Sequence, residues 1–579
     1  MNHGSISQTV LVLDADMVSA LATARSLRRY GLTVDVASAA ERAIATYSNT
    51  VNRCFRYPDP LTDEPGFIEW LVRRTTETTY ALVIPITERT VIPIANHRAR
   101  FNQTRLAIAS DTALNAALDK ARTLALAHDL NIAAPHSVQI GHADHLAPRT
   151  AQFGFPIVVK PARSFGTQNN QRTQLSVDYA FNANELRAKT IHALRYGAVL
   201  LQEYVGGQGV GIELIADNGK IVYAFQHRRL HEVPLTGGGS SLRISEAVDP
   251  ALLDASSQLM HALAWHGVAM VEFKRNPDSG RFSLMEINGR FWGSLPLAIA
   301  AGADFPAMLY ELMVDGAVRS RPPARNGIYG RNLARDLYWT ELVLRREGPA
   351  GLVRFPTRGQ IFKDARLFFS PRHHLDVQTW RDPRPGIIDV WLIVKAQIQR
   401  AMRLMAERRL ARRLQKSWEN GEVARRLRAA HQILFLCYGN INRSALAERC
   451  FQARYPGMAI ACVSAGFHAE AGRPADPVMI EVAEKLGITL GDWHSHRLNK
   501  DMMEHSDIIF VMERQHYQRI ANSYPAALPR TFLLDPRGDI DDPYGKSPEI
   551  YADCAQKVSA CIERIALLLA SPVDPQAHV

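Results

Sequence analysis

The stretch Ile433–Ser444, which reads ILFLCYGNINRS, decides the fold of the C-terminal part of the chain. An apolar run ends at Cys437, five residues follow, and then Arg443 and Ser444 lead into a helical pattern that continues to Tyr455. A short loop between the end of a strand and the start of a helix aims several backbone N–H groups at one point, and the helix dipole adds positive potential there. We therefore expect this loop to bind a phosphate dianion.

The residue types in this loop are those that thiol-dependent phosphate chemistry needs. The same N–H groups stabilise a thiolate, which makes Cys437 the candidate nucleophile. Arg443 can bind two phosphate oxygens in a bidentate fork, and Ser444 can donate a hydrogen bond to the sulfur. Gly439 permits the tight backbone turn. The remaining members of the predicted phosphate loop are Tyr438, Asn440, Ile441 and Asn442.

A nucleophile alone is not sufficient, because the departing oxygen needs a proton. The segment Asp541–Gly545, which reads DDPYG, offers a candidate acid far along the same domain. We expect Asp542 to protonate the leaving oxygen and then to activate water against a phosphocysteine. This chemistry requires no metal and no cofactor.

The C-terminal segment, residues about 431 to 570, resembles the low-molecular-weight protein tyrosine phosphatases. The resemblance implies a parallel-sheet α/β domain, a phosphomonoester phosphatase activity, and a role for Asn440 in bracing the phosphate loop. The stretches that carry it are Cys437–Ser444, Ser464–Gly466, Asp507–Met512 and Asp542–Tyr544.

Several positions depart from the family pattern. Asn442 stands where the family usually has a second cysteine, and Ala445 stands where it usually has proline. Many members carry a second tyrosine where this chain has Gly545, so the expected aromatic wall is thinner. A phosphorylated metabolite therefore stays open as substrate beside a phosphotyrosine protein. Arsenate reductases share the fold and need a resolving cysteine pair, but we interpret Cys554 and Cys561 as apolar packing residues of a terminal helix.

The N-terminal half begins with an α/β pattern. Three apolar strands, at Val10–Leu13, Thr33–Ala37 and Ala81–Pro85, alternate with helical stretches such as Val18–Tyr30. This order predicts a parallel sheet covered by helices. The segment contains no Gly-x-Gly-x-x-Gly sequence, so a dinucleotide site is not indicated.

A second set of candidate residues follows this segment. Lys120 opens a helix and Lys160 ends an apolar strand, and two lysines that are distant in sequence can converge on phosphates as point charges. Glu286 and Asn288 alternate on a strand and so face the same side. Together with Glu272 they offer the hard oxygen ligands that Mg²⁺ prefers.

In this order the segments resemble the ATP-grasp superfamily over about half of the chain. The resemblance implies ATP and Mg²⁺ as cofactors, Glu272, Glu286 and Asn288 as magnesium ligands, and an acylphosphate intermediate that an amine or related nucleophile attacks. It also implies that Arg290 holds the transferred phosphate and that His227–Gly239 forms an acceptor-side loop. The ATP-binding residues implied are Lys120, Lys160, Ser164, Gly166, Gln202, Glu203, Val205 and Gln208.

Length and composition fit several domains. A chain of 579 residues favours about three to four domains, and its 47% hydrophobic and 22% charged residues are ordinary for a globular protein. We predict an α/β multidomain protein. Its parts are a preceding α/β domain at 1–115, an α+β ATP-grasp domain at 116–318, a linker region with a basic helix at 319–430, and the phosphatase-like domain at 431–573.

The charge and the cysteines indicate the setting. A net charge of +11 suits phosphorylated ligands or an acidic surface. Six cysteines, no recognisable signal sequence and no apolar run of bilayer length lead us to expect a reduced, cytoplasmic protein.

These patterns lead to one preferred function and two alternatives. We expect a bifunctional enzyme, an ATP-grasp ligase joined to a phosphatase, that acts on a small-molecule carboxylate and amine and on a phosphorylated metabolite or phosphotyrosine protein, without a nucleic-acid partner. The first alternative is a phosphatase whose ATP-grasp half binds nucleotide and only regulates. The second is weak contact of the basic residues 399–428 with an anionic membrane surface, against which a solvated linker helix is preferred.

Overall fold

A computed structural model of the chain describes residues 8–142, 153–162, 165–168, 171–349, 351–468 and 470–570, without the side chains of residues 165–168 and 171–174. The chain forms two compact units, Met1–Lys395 and Ala396–Val579.

The first unit opens with the expected parallel sheet, whose strand order is β3-β2-β1-β4. Its central strand is buried on both faces, because Val10 and Val12 enter one apolar cluster while Leu11 and Leu13 enter another. This is typical of a parallel sheet with helices on both sides. The elements are β1 (Thr9–Val12), α1 (Val18–Arg29), β2 (Thr33–Ser38), β3 (Arg53–Arg56), α2 (Glu64–Glu77), β4 (Leu82–Ile84) and α3 (Glu88–Asn96).

A small antiparallel sheet follows, with the order β5-β10-β6-β9, and β7 and β8 form a separate two-stranded sheet. Asp119 caps the helix that begins at Lys120, since its carboxylate accepts hydrogen bonds from the N–H groups of Ala121 and Arg122. The elements are α4 (Asp111–Leu118), α5 (Lys120–Asp129), β5 (Ser137–Ile140), β6 (Ile157–Pro161), β7 (Phe165–Gln168), β8 (Gln171–Gln174), β9 (Asp178–Ala180), α6 (Ala183–Leu194) and β10 (Val199–Glu203).

The largest sheet has seven strands in the order β15-β14-β11-β12-β13-β16-β17, and all neighbours are antiparallel except β16 and β17. Its strands are β11 (Gln208–Asp217), β12 (Lys220–Val233), β13 (Gly239–Glu246), β14 (Gly267–Arg275), β15 (Phe282–Asn288), β16 (Tyr329–Arg331) and β17 (His373–Leu375). The accompanying helices are α7 (Pro250–Ala262), α8 (Leu295–Ala301), α9 (Phe305–Tyr310), α10 (Leu333–Arg345) and α11 (Arg358–Arg366).

Two stretches of this unit differ from the sequence-based expectation. The expected acceptor-side loop His227–Gly239 is wrong, because β12 continues through Val233 and only a short turn separates it from β13. Residues 319–430 were expected to link domains, yet β16 pairs with β13 and β17 pairs with β16. The run from His227 to Glu232 is rich in charged and polar residues, and β16 and β17 have three residues each, so neither stretch shows the apolar alternation that marks a strand in a sequence.

The second unit contains a parallel sheet in the order β19-β18-β20-β21. The strand β18 lies inside it, with Phe435 buried on one side and Leu434 and Leu436 on the other. The elements are β18 (Gln432–Cys437), α14 (Arg443–Arg454), β19 (Ala461–Gly466), α15 (Pro477–Lys485), α16 (Lys500–His505), β20 (Ile508–Val511), α17 (Arg514–Ser523), β21 (Thr531–Leu533) and α18 (Pro548–Ala570).

The basic segment forms a long helix, α12 (Pro383–Glu419), and a short one, α13 (Glu422–Arg428). Their C-terminal parts pack into the second unit. Leu414, Val423 and Leu427 are buried, and the Trp418 indole N–H donates to the Leu533 carbonyl at 3.1 Å. Residues before 431 therefore contribute to the core of this unit.

Within the described residues, no single helix has the length and apolar composition needed to cross a bilayer. One bent pair, Leu295–Ala301 with Phe305–Asp315, meets the requirement by length and composition alone.

This packing predicts that a fragment of residues 396–579 is more stable than one of residues 431–579. The shorter fragment loses the buried Leu414, Val423 and Leu427, and burial of each such side chain contributes about 1.5–3 kcal/mol. We expect a loss on the order of 5 kcal/mol in the free energy of unfolding, measured in urea by tryptophan fluorescence. Equal unfolding midpoints for the two fragments would show that α12 and α13 are only a tether.

Candidate active sites

The phosphate loop is built around the sulfur of Cys437, at the buried end of β18. The backbone N–H of Asn440 donates to Cys437 Sγ at 3.2 Å, and the hydroxyl of Ser444 donates to it at 3.0 Å. Arg443 is the first residue of α14, so the positive end of the helix lies next to the loop. A thiolate at this position has two hydrogen-bond donors and a favourable helix dipole.

Asn440 holds the loop in shape. Its φ of 53° lies in the left-handed region, which asparagine tolerates better than most residues. Its side-chain amide donates to Ser444 Oγ at 2.9 Å and to Ser464 Oγ at 2.8 Å, and its carbonyl Oδ1 accepts from the His496 N–H at 2.7 Å. The first of these bonds orients the Ser444 hydroxyl toward the sulfur.

The segment Trp493–Arg497, which reads WHSHR, also supports this turn. The indole N–H of Trp493 donates to the backbone carbonyl of Asn440 at 2.7 Å, and His496 supplies the N–H noted above. Sequence reasoning missed both because the contacts are made by an indole and a backbone N–H more than fifty residues away.

Arg443 is fully buried and ion-paired on two sides. Its Nη1 pairs with Glu513 and donates to the Ile540 carbonyl at 2.7 Å, and its Nη2 lies 2.7 Å from Asp542 Oδ2. Burial alone would lower the pKa of Arg443, but the charges of Cys437, Asp542 and Glu513 outweigh it and raise that pKa above its ordinary value. Glu513 is a member of the site that the sequence analysis did not identify.

His516 lies in the same region and is uncharged. Burial, together with the charges of Arg443 and Arg519, lowers the pKa of His516 to about 3. Its ring stacks on Phe467 with centroids 5.5 Å apart. It therefore contributes packing and not positive charge.

A cavity of about 220 Å³ opens above the sulfur. Two exposed aromatic rings, Tyr438 and Tyr544, form part of its wall, and Asp542 lies beside them. Arg519 stacks on Tyr438 with its guanidinium 5.1 Å from the ring centroid. The remaining lining residues are Cys437, Gly439, Ile441, Asn442, His468 and Arg473.

The acid loop is tied to the phosphate loop by a chain of hydrogen bonds. Gly545 N–H donates to the hydroxyl of Tyr551 at 3.2 Å, and that hydroxyl donates to Asp476 Oδ2 at 2.9 Å. The backbone N–H of Asp476 in turn donates to the Ile441 carbonyl at 3.1 Å. Gly545 has a φ of 72°, so a tyrosine at this position would be strained.

The other cysteines of this unit are buried and unpaired. Burial raises the pKa of Cys554 and of Cys561 to about 12. Both belong to the apolar core that surrounds α18. This agrees with the interpretation of both as packing residues and gives no support to a resolving pair.

In the first unit, Lys160 and Glu286 form the centre of a charged cluster. Lys160 Nζ donates to Gln202 Oε1 at 2.6 Å. Burial and the neighbouring Lys120 lower the pKa of Lys160 to about 8, although Glu286 and Glu272 act in the opposite direction. Burial would raise the pKa of Glu286, but Lys120 and Lys160 hold it below its usual range. The structure thus brings the two predicted lysines and the two predicted glutamates together.

The predicted magnesium ligands converge. Glu272 and Glu286 lie directly opposite each other on β14 and β15, and the Asn288 amide donates to Glu272 Oε1 at 3.1 Å and to Glu286 Oε1 at 3.2 Å. Arg229 Nη2 lies 2.5 Å from Glu272 Oε2. Arg229 is a contact that the sequence did not reveal, because β12 was taken for a loop.

The other predicted ATP-site residues are more dispersed. Arg290 pairs with Glu88 at 3.2 Å, Glu203 is an exposed strand end, and Gln208 lines a separate cavity. Val205 lies beyond the end of β10. Gly166 lies in β7, opposite Thr173 of β8, and Ser164 falls outside the described residues.

Comparison with known proteins identifies the second unit. The family model described as "Low molecular weight phosphotyrosine protein phosphatase" matches residues 432–573. The low molecular weight protein-tyrosine-phosphatase Wzb of Escherichia coli K12 is 34% identical over 125 residues, which are 21% of this chain and 84% of that protein. The chain belongs to the low molecular weight protein-tyrosine-phosphatase family.

Other members of that family are similar over the same domain. The E. coli K12 phosphatase Etp is 32% identical over 124 residues, 21% of this chain and 82% of its own length. Vibrio vulnificus Wzb in complex with benzylphosphonate is 32% identical and covers 24% of this chain and 98% of that one, with a TM-score of 0.23.

The first unit matches a different family. The model described as "ATP-grasp in the biosynthetic pathway with Ter operon" matches residues 195–335, which include Arg229 and the Glu272–Glu286–Asn288 cluster. An L-amino acid ligase from Bacillus licheniformis is 16% identical, covers 55% of this chain and 78% of that one, and has a TM-score of 0.43. The two family models together show an ATP-grasp domain joined to a tyrosine-phosphatase-family domain, and the protein is an enzyme.

The two asparagines of the phosphate loop should differ in their effect on stability. Asn440→Gly keeps the left-handed backbone accessible but removes three side-chain hydrogen bonds, each worth about 1 kcal/mol. We expect a loss of roughly 2–4 kcal/mol in urea unfolding. Asn442→Ala, whose amide atoms are buried without a protein partner, should change stability by less than about 1 kcal/mol. The reverse order would contradict the bracing role of Asn440.

Proposed function

We propose that the second unit hydrolyses phosphomonoesters with Cys437 as nucleophile, Arg443 as phosphate clamp and Asp542 as general acid. The observation that carries the proposal is the ion pair of Arg443 with Asp542 beside the sulfur. Cys437 and Asp542 line the same cavity, and the buried Arg443 lies behind it, paired with Asp542.

The chemistry follows in two steps. Cys437 Sγ attacks phosphorus, the bond to the ester oxygen breaks with its electron pair on that oxygen, and Asp542 gives the oxygen a proton. Water then attacks the phosphocysteine, Asp542 takes a proton from it, and the P–S bond breaks to return the thiolate and inorganic phosphate. A phosphate on Arg443 would displace Asp542 from the guanidinium and leave it free for both proton transfers.

The cavity favours an aryl phosphate. Tyr438 and Tyr544 expose their rings at its mouth, and Ile441 adds an apolar contact. Aromatic pairs of this kind contribute about 0.5–1.5 kcal/mol beyond area burial. We propose phosphotyrosine, in a protein or as a small aryl ester, as the substrate class.

The acid can be tested by the leaving group. Asp542→Asn should lower kcat/KM, which reports the step that releases the leaving group, on the order of 100-fold for phenyl phosphate but far less for 4-nitrophenyl phosphate, because the nitrophenolate leaves without protonation. Cys437→Ser gives the baseline without a nucleophile. Asp541→Asn is the matched control and should leave both rates near wild type. Equal slowing of the two esters by Asp542→Asn would make Asp542 a structural residue.

We further propose that the first unit is an ATP-dependent ligase that activates a carboxylate as an acylphosphate for attack by an amine. The convergence of Lys120, Lys160, Glu272 and Glu286 supports this proposal, since it brings phosphate-binding cations next to carboxylate oxygens. Glu272, Glu286 and Asn288 provide hard oxygen donors that fit Mg²⁺ and would hold it. When bound, the ion would neutralise phosphate charge.

The charges of Lys160 and Arg229 determine how tightly this site would bind a nucleotide and its metal ion. Lys160, with a pKa of about 8, is largely protonated at pH 7 and loses its charge as the pH rises above 8. Nucleotide affinity should therefore weaken through that range. Arg229 neutralises Glu272 and has to yield part of that carboxylate to the ion.

The ligase proposal predicts carboxylate-dependent ATP turnover that is separable from phosphate ester hydrolysis. Glu286→Ala combined with Asn288→Ala should abolish ADP formation from ATP in pools of carboxylates and amines, yet leave 4-nitrophenyl phosphate hydrolysis within about twofold of wild type. Both activities are measured on the full chain. ADP formation that ignores the carboxylate pool would favour a nucleotide-binding, regulatory half instead.

A further inference from the structure

A cavity of about 530 Å³ lies in the first unit, and Gln208 is the predicted ATP-binding residue that contributes to its lining. Its floor includes Arg228, Ile244 and Tyr329, which are direct cross-strand neighbours on β12, β13 and β16. Its roof is formed by α10, through Trp339 and Val343, and by α11. The volume is in the range of small-molecule sites, about 300–1,000 Å³.

The floor of the cavity lies on the other face of the large sheet from Glu272 and Glu286, the proposed magnesium ligands. Glu286, Glu272, Gly211, His227 and Ser245 form one continuous row of cross-strand neighbours. Arg228 follows His227 directly, and successive residues of a strand point to opposite faces. The row that starts at Arg228 therefore lies on the other face of the sheet.

Buried charges fix the roof to the sheet. His231 of β12 lies between two carboxylates: its Nδ1 is 2.7 Å from Asp336 Oδ1 of α10, and its Nε2 is 3.2 Å from Asp364 Oδ2 of α11. Its ring stacks on the Trp339 ring, with the ring centroids 3.4 Å apart. Arg331 of β16 pairs with Asp336 and donates to the Asp364 carbonyl at 2.6 Å. The cavity is thus a preformed space, because closing it would require moving these charge pairs.

The carboxylates of Asp336 and Asp364 are already paired with cationic side chains of the protein. Burial would lower the pKa of His231, but Asp336 and Asp364 raise it above its ordinary value. Burial would raise the pKa of Asp336, which His231 and Arg331 nevertheless hold below its usual range. The buried acidic groups are therefore not free to bind a ligand cation.

The cationic side chains at the mouth of the cavity differ from these buried groups in exposure and in pairing. Arg354 and Lys363 line the cavity and are exposed, and within the described part of the chain neither has a carboxylate within 4 Å. Arg228, deeper in, is paired with Glu246 at 2.5 Å. Between mouth and floor the wall is mixed: the polar side chains of Gln208, Glu232 and Gln360 contribute to it, and so do the apolar side chains of Leu230, Leu235, Val343, Val353 and Leu367.

We propose that this cavity is a second ligand site, and that it binds a small organic carboxylate with an apolar body. The carboxylate lies between Arg354 and Lys363, and the body extends over the apolar side chains of the wall toward Trp339. The floor of this site lies on the other face of the sheet from Glu272 and Glu286, and its edge adjoins the charged cluster through Glu232, which pairs with Arg229 at 3.4 Å. The proposal does not depend on the first unit being a ligase.

The test uses the full chain and two pairs of probes, 4-phenylbutyrate with 4-phenylbutan-1-ol and octanoate with octan-1-ol, in isothermal titration calorimetry. Each pair shares its apolar body and differs in the charge. We expect at least one carboxylate to bind about tenfold or more tightly than its alcohol. Arg354→Gln with Lys363→Gln should weaken that carboxylate about tenfold and leave the alcohol unchanged.

Two control variants locate the binding. Arg366→Gln removes an exposed cation of α11 that does not line the cavity, and it should leave the carboxylate affinity unchanged. Glu286→Ala with Asn288→Ala alters the opposite face and should also leave it unchanged. The proposal is overturned if neither carboxylate binds at millimolar concentration, if the alcohols bind equally well, or if the Glu286/Asn288 variant loses carboxylate binding.

Discussion

Charge that is buried at a sheet must be neutralised by a partner, and this constraint shapes every site in the molecule. An unpaired buried ion costs several kcal/mol, so each such group has to be built with its counterion. Arg443 is buried with Glu513 and Asp542, Glu272 with Arg229, and His231 with Asp336 and Asp364. Removing one partner of such a pair should therefore lower the free energy of unfolding by more than the energy of the lost contact, because the remaining charge stays buried without a counterion.

The same constraint connects structure to activity. In the second unit, Asp542 neutralises Arg443, and under the proposed function a phosphate dianion would replace that carboxylate on the guanidinium. In the first unit, Arg229 neutralises Glu272 at the place where a divalent ion would compete for the carboxylate. In both sites a protein charge occupies the position that a ligand of the same sign would take.

The sites differ in how rigidly they are held. The phosphate loop is fixed by a left-handed residue, three side-chain hydrogen bonds and a buried strand end, so its geometry is set before any substrate binds. Such preorganisation is what electrostatic stabilisation of a transition state requires. The nucleotide cluster joins residues of two separate sheets, since Lys160 lies on β6 and Glu286 on β15. Its geometry therefore depends on how those sheets pack.

The sequence by itself determined the local features: the strand, loop and helix around Cys437, the candidate acid Asp542, the two candidate lysines and the candidate oxygen ligands on β14 and β15. These follow from short-range rules, because a Cys-x5-Arg loop, an alternating strand and a helix cap are each defined within about ten residues. Only the tertiary structure decided that Glu513 pairs with Arg443, that Trp493 and His496 brace Asn440, and that Arg229 meets Glu272. It also decided that residues after 328 complete the large sheet and roof a cavity. Edge strands and buried ion pairs are made by groups far apart in the chain, and no local pattern encodes which of them will meet.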